Sequence, residues 1–454
     1  MPHLSDIAGS LWWMIVTLGL LVTFHEYGHF VVARACGVKV VRFSVGFGRA
    51  LWSRFGKSGT EYMIAAIPLG GYVKMLDARE GDVPDDERAQ EFTGKPVWQR
   101  IAIVIAGPAF NLIFAVTAFW AMLVIGKPDY QPLIGHVSGL AAQAQLQHGD
   151  RVLSIDGKPI SNWTDLGLAL ADAAQARKPA PLTVREPDGA VRTRILHFEQ
   201  LPPHLNEGAQ LDRIGLTPAQ RSLPPVVGEI EKGGAAAAAG LQPGDRVLAI
   251  GNAPVHYWDD ISDAIKNQAP NGQSLTLRVQ RGGRTLAFRL QPKMTTFPDH
   301  HRGYAIGIGA KVVDAKYDTV LRRGPLAAIP AAFAQTWDLT SRTVQMLGQM
   351  IAGDASLKNI SGPISIAQYA SQSADMGPAW FLYFLGIVSL SLGIMNLLPI
   401  PILDGGHLLY YLIELVKGSP LSERAMAAGQ YLGMGLLAAL MGLAFYNDIL
   451  RLVS

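Results

Sequence analysis

Cysteine is almost absent from the 454 residues: Cys36 stands alone. No intramolecular disulfide can form, and zinc held by several thiolates is excluded. Charge is scarce too, with Asp, Glu, Lys and Arg at 17% against 49% apolar residues. Soluble chains carry about 25% charged residues, so the balance predicts a chain divided between membrane and water. The net charge of +3 is small and no basic run accompanies it, which argues against a nucleic-acid partner. No Lys or Arg precedes Arg34. The apolar run ahead of it therefore lacks a basic flank, and it outlasts the 7–15 residues of a signal-peptide core, so it reads as a retained anchor.

Four stretches, approximately 7–33, 98–125, 380–400 and 425–446, reach the ~20 apolar residues that cross a bilayer. Arg34, Lys39, Arg42, Arg49, Arg54 and Lys57 crowd the exit of the first, and Lys95 and Arg100 flank the second. The positive-inside rule puts this loop in the cytoplasm. The chain start, residues 126–377 and the chain end are then predicted outside.

Between the first two spans, Val40–Met75 is rich in β-formers and punctuated by glycine, so it predicts a small sheet packed on the membrane core. Residues 77–91 are acidic and read as a solvated loop. The external segment repeats itself: Gln147-His148-Gly149-Asp150-Arg151-Val152-Leu153 returns 95 positions later as Gln242-Pro243-Gly244-Asp245-Arg246-Val247-Leu248. A unit of this length is a domain rather than a solenoid turn. It resembles a tandem pair of PDZ domains at 126–221 and 222–312. In 313–377, Trp337, Val344, Leu347 and Ile351 share a helical face, which predicts an amphipathic helix at the membrane surface or packed on the second repeat. The predicted fold class is thus a multi-span α-helical membrane protein. It has four transmembrane helices (within 1–125 and 378–454), a small membrane-associated β-sheet and two external PDZ-like β/α domains.

His25-Glu26-Tyr27-Gly28-His29 carries the chemistry. Histidines four apart share a helix face and can chelate one zinc ion, with Glu26 placed to take a proton from a water. Ionisable groups inside a span are expensive and point to function. Asp404 is the candidate third ligand, because Pro399 and Pro401 break the third span just before it. His407 is an alternative. Asn111, beside Gly107 and Pro108, reads as helix-packing glue.

Taken together, His25-Glu26-x-x-His29, Gly107-Pro108-x-x-Asn111 and Asn396…Pro399…Pro401…Leu403-Asp404-Gly405 resemble the site-2 proteases, in their RseP-like branch with tandem PDZ domains. The resemblance extends over nearly the whole chain. It implies an intramembrane zinc metalloendopeptidase of the bacterial inner membrane, with periplasmic PDZ-like domains and an active site toward the cytoplasm. It implies Zn2+ on His25, His29 and Asp404, Glu26 as general base, and Asn396 supporting substrate or transition state. Substrates would be single-span membrane proteins already trimmed outside, such as an anti-sigma factor, or signal-peptide remnants. Peptide C-termini would bind the second PDZ-like copy; the first lacks the glycine and proline that its counterpart has at Gly240 and Pro243.

Two other classes fit parts of the sequence: a metal transporter using the same three ligands, and a membrane scaffold built on the repeats. A peptide bond inside a helix must be unwound before attack, and its freed backbone groups then need partners. A strand around Ile64–Leu69 is predicted to supply them by pairing with the substrate.

Overall fold

The computed structural model describes residues 4–79, 81–202, 213–296, 302–311, 316–353 and 360–453. The predicted boundary at 312 lies outside the described residues. The chain divides into two units, one of residues 1–127 and 322–451, the other of residues 128–321 with the last three.

The first unit contains helix α1 (Leu4–Ala35), strands β1 (Val40–Phe55) and β2 (Glu61–Met75), and helix α2 (Val97–Ile125). The helices Pro325–Ala352, Pro363–Asp375, Pro378–Asn396, Asp404–Lys417 and Glu423–Val453 complete it. Among the described residues, four helices are long and apolar enough to cross a membrane: Asp6–Ala35, Val97–Ile125, Pro378–Asn396 and Glu423–Arg451. The third stops at Asn396 rather than at 400, because Pro399 has no amide to continue the ladder. Asp6 in the first turn of α1 and Arg34 in its last complement the helix dipole. Three helices open on a proline, at 325, 363 and 378, where a missing N–H costs nothing.

Lipid offers little hydrophobic drive for helix association, so close contact needs small residues. A Cβ on Gly28 of α1 would lie 2.4 Å from the Ala106 carbonyl oxygen of α2. Likewise a Cβ on Gly386 would lie 2.5 Å from the Phe119 ring, and one on Gly393 would lie 3.2 Å from the Asn111 Cβ. These glycines draw α1 and the third span onto opposite sides of α2.

The sheet is more folded than alternation alone suggests. Val40–Val45 pairs on one side with Gly71–Met75, while Arg42–Val45 pairs on the other with Glu61–Ile64; Glu61–Ala65 pairs in turn with Ala50–Phe55. Ile64 therefore has partners on both sides, Val45 and Trp52. Within the stretch expected to pair with substrate, Ala65 and Ile67 are each paired on one side, with Ala50 and Phe47, while the outer strands are Ala50–Phe55 and Gly71–Met75. Trp52, Phe55, Ile64 and Ile67 are exposed, an apolar surface suited to lipid.

In the helix Pro325–Ala352, Ala328, Ala332 and Thr336 are buried at four-residue spacing. Leu326, Ile329, Phe333, Trp337, Val344 and Ile351 lie exposed. The amphipathic pattern expected around Trp337 thus belongs to a longer helix with an uncovered apolar face.

In the second unit, two four-stranded sheets share one strand order. The first runs Lys158–Pro159, Arg151–Ile155, Pro179–Arg185, Val191–His197; the second runs Ala253–Pro254, Arg246–Ile250, Leu275–Arg281, Arg284–Leu290. Each has its own core, around Val152, Leu166 and Leu182 in one and Val247, Ile261 and Leu277 in the other. In each copy the Gly-Asp turn is tied by the aspartate: Asp150 accepts the Gln147 amide and Asp245 the Gln242 amide, both at 2.9 Å.

Candidate metal centre

His25 and His29 lie one turn apart on α1, each 8% exposed, with their Nε2 atoms 3.2 Å apart. At 1.5 Å per residue, His29 is about 9 Å from the Ala35 end of the helix. Asp404 opens the helix Asp404–Lys417 and joins them: its Oδ2 is 3.1 Å from Nε2 of His25 and its Oδ1 3.5 Å from Nε2 of His29.

The chain after the third span is shaped to bring Asp404 there. Pro399 and Pro401 forbid a helix. Ile402 adopts φ 99°, a strained value for a β-branched residue. The backbone then folds so tightly on itself that a Cβ on Gly405 would stand 2.1 Å from the Leu398 carbonyl oxygen, and one on Gly406 would stand 2.5 Å from that of Ile400. Only glycine fits at either position.

Helix α2 orients the two rings. Nδ1–H of His29 donates to the Ile103 carbonyl at 2.8 Å, which leaves the Nε2 lone pair free for a ligand. Nδ1 of His25 is 3.1 Å from the fully buried amide of Asn111. Between these contacts sits Gly107, where a Cβ would come within 2.3 Å of Nε2 of His29 and 2.7 Å of Cε1 of His25. Glu26 is half-buried and within electrostatic reach of His25, His29 and Asp404. Strand β2 passes over it, so that a Cβ on Gly71 would lie 3.2 Å from the Glu26 Cγ.

The donor atoms suit zinc. Bonds of about 2.0–2.1 Å in a tetrahedron separate ligand atoms by roughly 3.3 Å, and the separations here are 3.2, 3.1 and 3.5 Å. Asp404 Oδ2 is buried and forms no hydrogen bond despite its nearness to His25. The atoms converge on a shared point rather than on each other. Among the described residues, His25, His29 and Asp404 form a group able to hold a metal ion.

Of the residues singled out from the sequence, these three are brought together with Glu26 beside them, and His407 is not in the group. Asn396 ends the third span half-buried, and no hydrogen bond ties its amide to the three side chains. Asn111, read from sequence as packing glue, does pack between helices, with Ser389 on its carbonyl and Gly393 against its Cβ, and its amide also touches His25. The signal that points to it is the spacing Ile103, Gly107, Asn111: one helix face turned to the histidines.

A spanning-helix protein with two histidines and an aspartate converging under a glutamate is built as a metallopeptidase. The sequence profile described as "Peptidase family M50" matches residues 13–440. The chain belongs to that family. It is 48% identical to a "Putative zinc metalloprotease" of Xylella fastidiosa (strain Temecula1) over 98% of this chain and all of the relative. It is 41% identical to "Regulator of sigma-E protease RseP" of Salmonella typhimurium (strain 14028s) and of Escherichia coli (strain K12), over 96% of this chain and 98% of each relative.

Proposed function

We propose that this chain is an intramembrane zinc metalloprotease of regulated proteolysis. The observation that carries the reading is the His25–His29–Asp404 cluster on apolar helices, in a chain of a peptidase family. His25, His29 and Asp404 hold the zinc and Glu26 is the general base. Zinc, when bound, polarises the scissile carbonyl and acidifies a water. Glu26 takes the proton from the attacking water on its carboxylate and returns it to the leaving amine. Asn396 serves the substrate or the transition state, a role that its half-buried place at the end of the third span, before Pro399, supports. A transporter has no use for a base beside its ligands, and a scaffold has none for the ligands.

Relatives named for control of sigma E support a membrane-bound anti-sigma factor as substrate class, in the bacterial inner membrane. The basic loop after α1 faces the cytoplasm in this reading, so the cut falls toward that side and residues 128–321 are periplasmic. The second repeat is read as a PDZ-like domain, 222–312, that takes peptide C-termini. Its cavity of 540 Å³ lies between Trp258, Ile261 and Ile265 on a helix and Ile306, Gly307 and Ile308 at the strand Ile308–Ala310, a shape suited to an extended peptide.

The test is Glu26→Gln in purified protein, with zinc content and cleavage of a single-span substrate measured together. Zinc should be retained and cleavage lost; cleavage at the native rate would remove the peptidase assignment.

A further inference from the structure

We infer that the Asn111 side chain is a positioning group for the metal centre: its Oδ1 accepts the Nδ1–H of His25 and so keeps the Nε2 lone pair of that ring turned to the metal. The inference rests on the metal-site reading above and deepens it.

The first support is symmetry of task along one helix face. Ile103, Gly107 and Asn111 follow each other at four-residue spacing on α2. Ile103 holds Nδ1 of His29 through its carbonyl, Gly107 makes room for both rings, and Asn111 meets Nδ1 of His25. A neutral imidazole that ligates through Nε2 must carry its proton on Nδ1 and needs an acceptor there. Ile103 fills that need for His29. The remaining ring has Asn111.

The second support is an orphaned atom. With Nδ2 of Asn111 toward the ring, its Oδ1 is buried with no hydrogen-bond partner. An amide N–H donating to Nδ1 would also force the ring proton onto Nε2, which is 3.2 Å from Nε2 of His29 and 3.1 Å from Asp404 Oδ2. That proton would occupy the point where the three donors meet. Carboxamide oxygen and nitrogen are interchangeable in orientation. Turned over, Oδ1 receives the Nδ1 proton and Nε2 presents its lone pair.

The third support separates this role from packing. Helix contacts at Asn111 use its backbone and Cβ: Ser389 Oγ donates to the Asn111 carbonyl at 2.9 Å, and Gly393 packs on the Cβ. The amide head is left for the histidine.

The experiment measures zinc affinity of the full-length protein in detergent by competition with a chromophoric chelator. Asn111→Leu and Asn111→Ala should each weaken zinc by about 10–100-fold, while Asn111→Asp, which keeps an acceptor, should stay within about threefold of the native protein. Cobalt in place of zinc should show altered visible bands in the Leu and Ala variants only, with the melting of the metal-free proteins alike in all four. The alanine variant guards against misfolding of the leucine one. Native affinity in Leu and Ala, or a loss in Asp equal to theirs, overturns the inference and leaves the metal site standing. Failure of the native protein to take up zinc overturns both.

Discussion

In the proposed site three side chains share one ion, so the loss of any should look alike. His25→Ala, His29→Ala and Asp404→Ala are each expected to abolish cleavage and to cut bound zinc well below one per chain, by metal analysis of protein purified without added metal. Full activity with stoichiometric zinc in Asp404→Asn would show that another group completes the site. At this scale the sequence was informative where the chemistry is local. The i, i+4 histidines announce themselves on any helix, and two prolines before Asp404 announce a break. The second contact of Asn111 was not legible, because an amide that packs between helices looks the same in sequence whether or not it also reaches a histidine; the 3.1 Å approach to His25 is a feature of the fold. The φ of 99° at Ile402 leaves no trace in a string of residues either, since strain of that kind is imposed by the surroundings.

Elements that repeat in sequence need not repeat in electrostatics. The two Gly-Asp turns fold alike, yet Arg281 donates two 2.6 Å hydrogen bonds to Asp245 and holds its carboxyl below the usual range. Asp150 has no such partner; burial pushes its carboxyl up, and Asp150 Oδ1 is unsatisfied. The signs follow. Asp245 stabilises its repeat at pH values above the ordinary carboxylate value of about 3.9, and that contribution disappears as pH falls toward its depressed folded value. Asp150 costs stability while ionised, and the cost is relieved as pH falls through its raised value. At pH 7, Asp245→Asn should therefore lower protection of Arg246–Ile250 in hydrogen exchange by about 1–3 kcal/mol. Asp150→Asn should leave Arg151–Ile155 as protected as before or more so. Equal losses in both strands would sink the contrast. Strand order also decides what the β1–β2 sheet can do. Alternation in Val40–Met75 shows that strands exist, but not that the chain doubles back to give Ile64 a strand partner on each side; pairing across such separations is set by tertiary contact. The outer strand nearest the chemistry is Gly71–Met75, which passes over Glu26. A methyl at Gly71 would stand 2.7 Å from the Ser44 carbonyl and 3.2 Å from the Glu26 Cγ. Gly71→Ala should thus reduce cleavage severalfold with zinc retained. An unaffected rate would free Glu26 from dependence on this strand.

For the whole molecule, the arrangement in the bilayer follows from where charge is missing. No Lys or Arg precedes Arg34, whereas six fall from Arg34 to Lys57, Lys417 lies between the third and fourth spans, and Arg424 is in the first turn of the fourth. Long domains translocate regardless of their own charge, so 128–321 has no vote. In the proposed reading, four crossings leave the basic loops in the cytoplasm and the repeats in the periplasm. The proposed orientation carries the site with it: His29 is near the Ala35 end of α1, and Asp404 comes eight residues after the third span ends at Asn396. Cys36, half-buried just past α1, is a built-in reporter of this proposed orientation, because no other thiol competes with it. An impermeant maleimide should label it in inverted vesicles or permeabilised cells and spare it in intact spheroplasts. In a Cys36→Ser background, Ser274→Cys, exposed in the second repeat, should react in intact spheroplasts. Labelling of Cys36 from outside with protection of position 274 would invert the topology, and the cut would then have to fall at the periplasmic face.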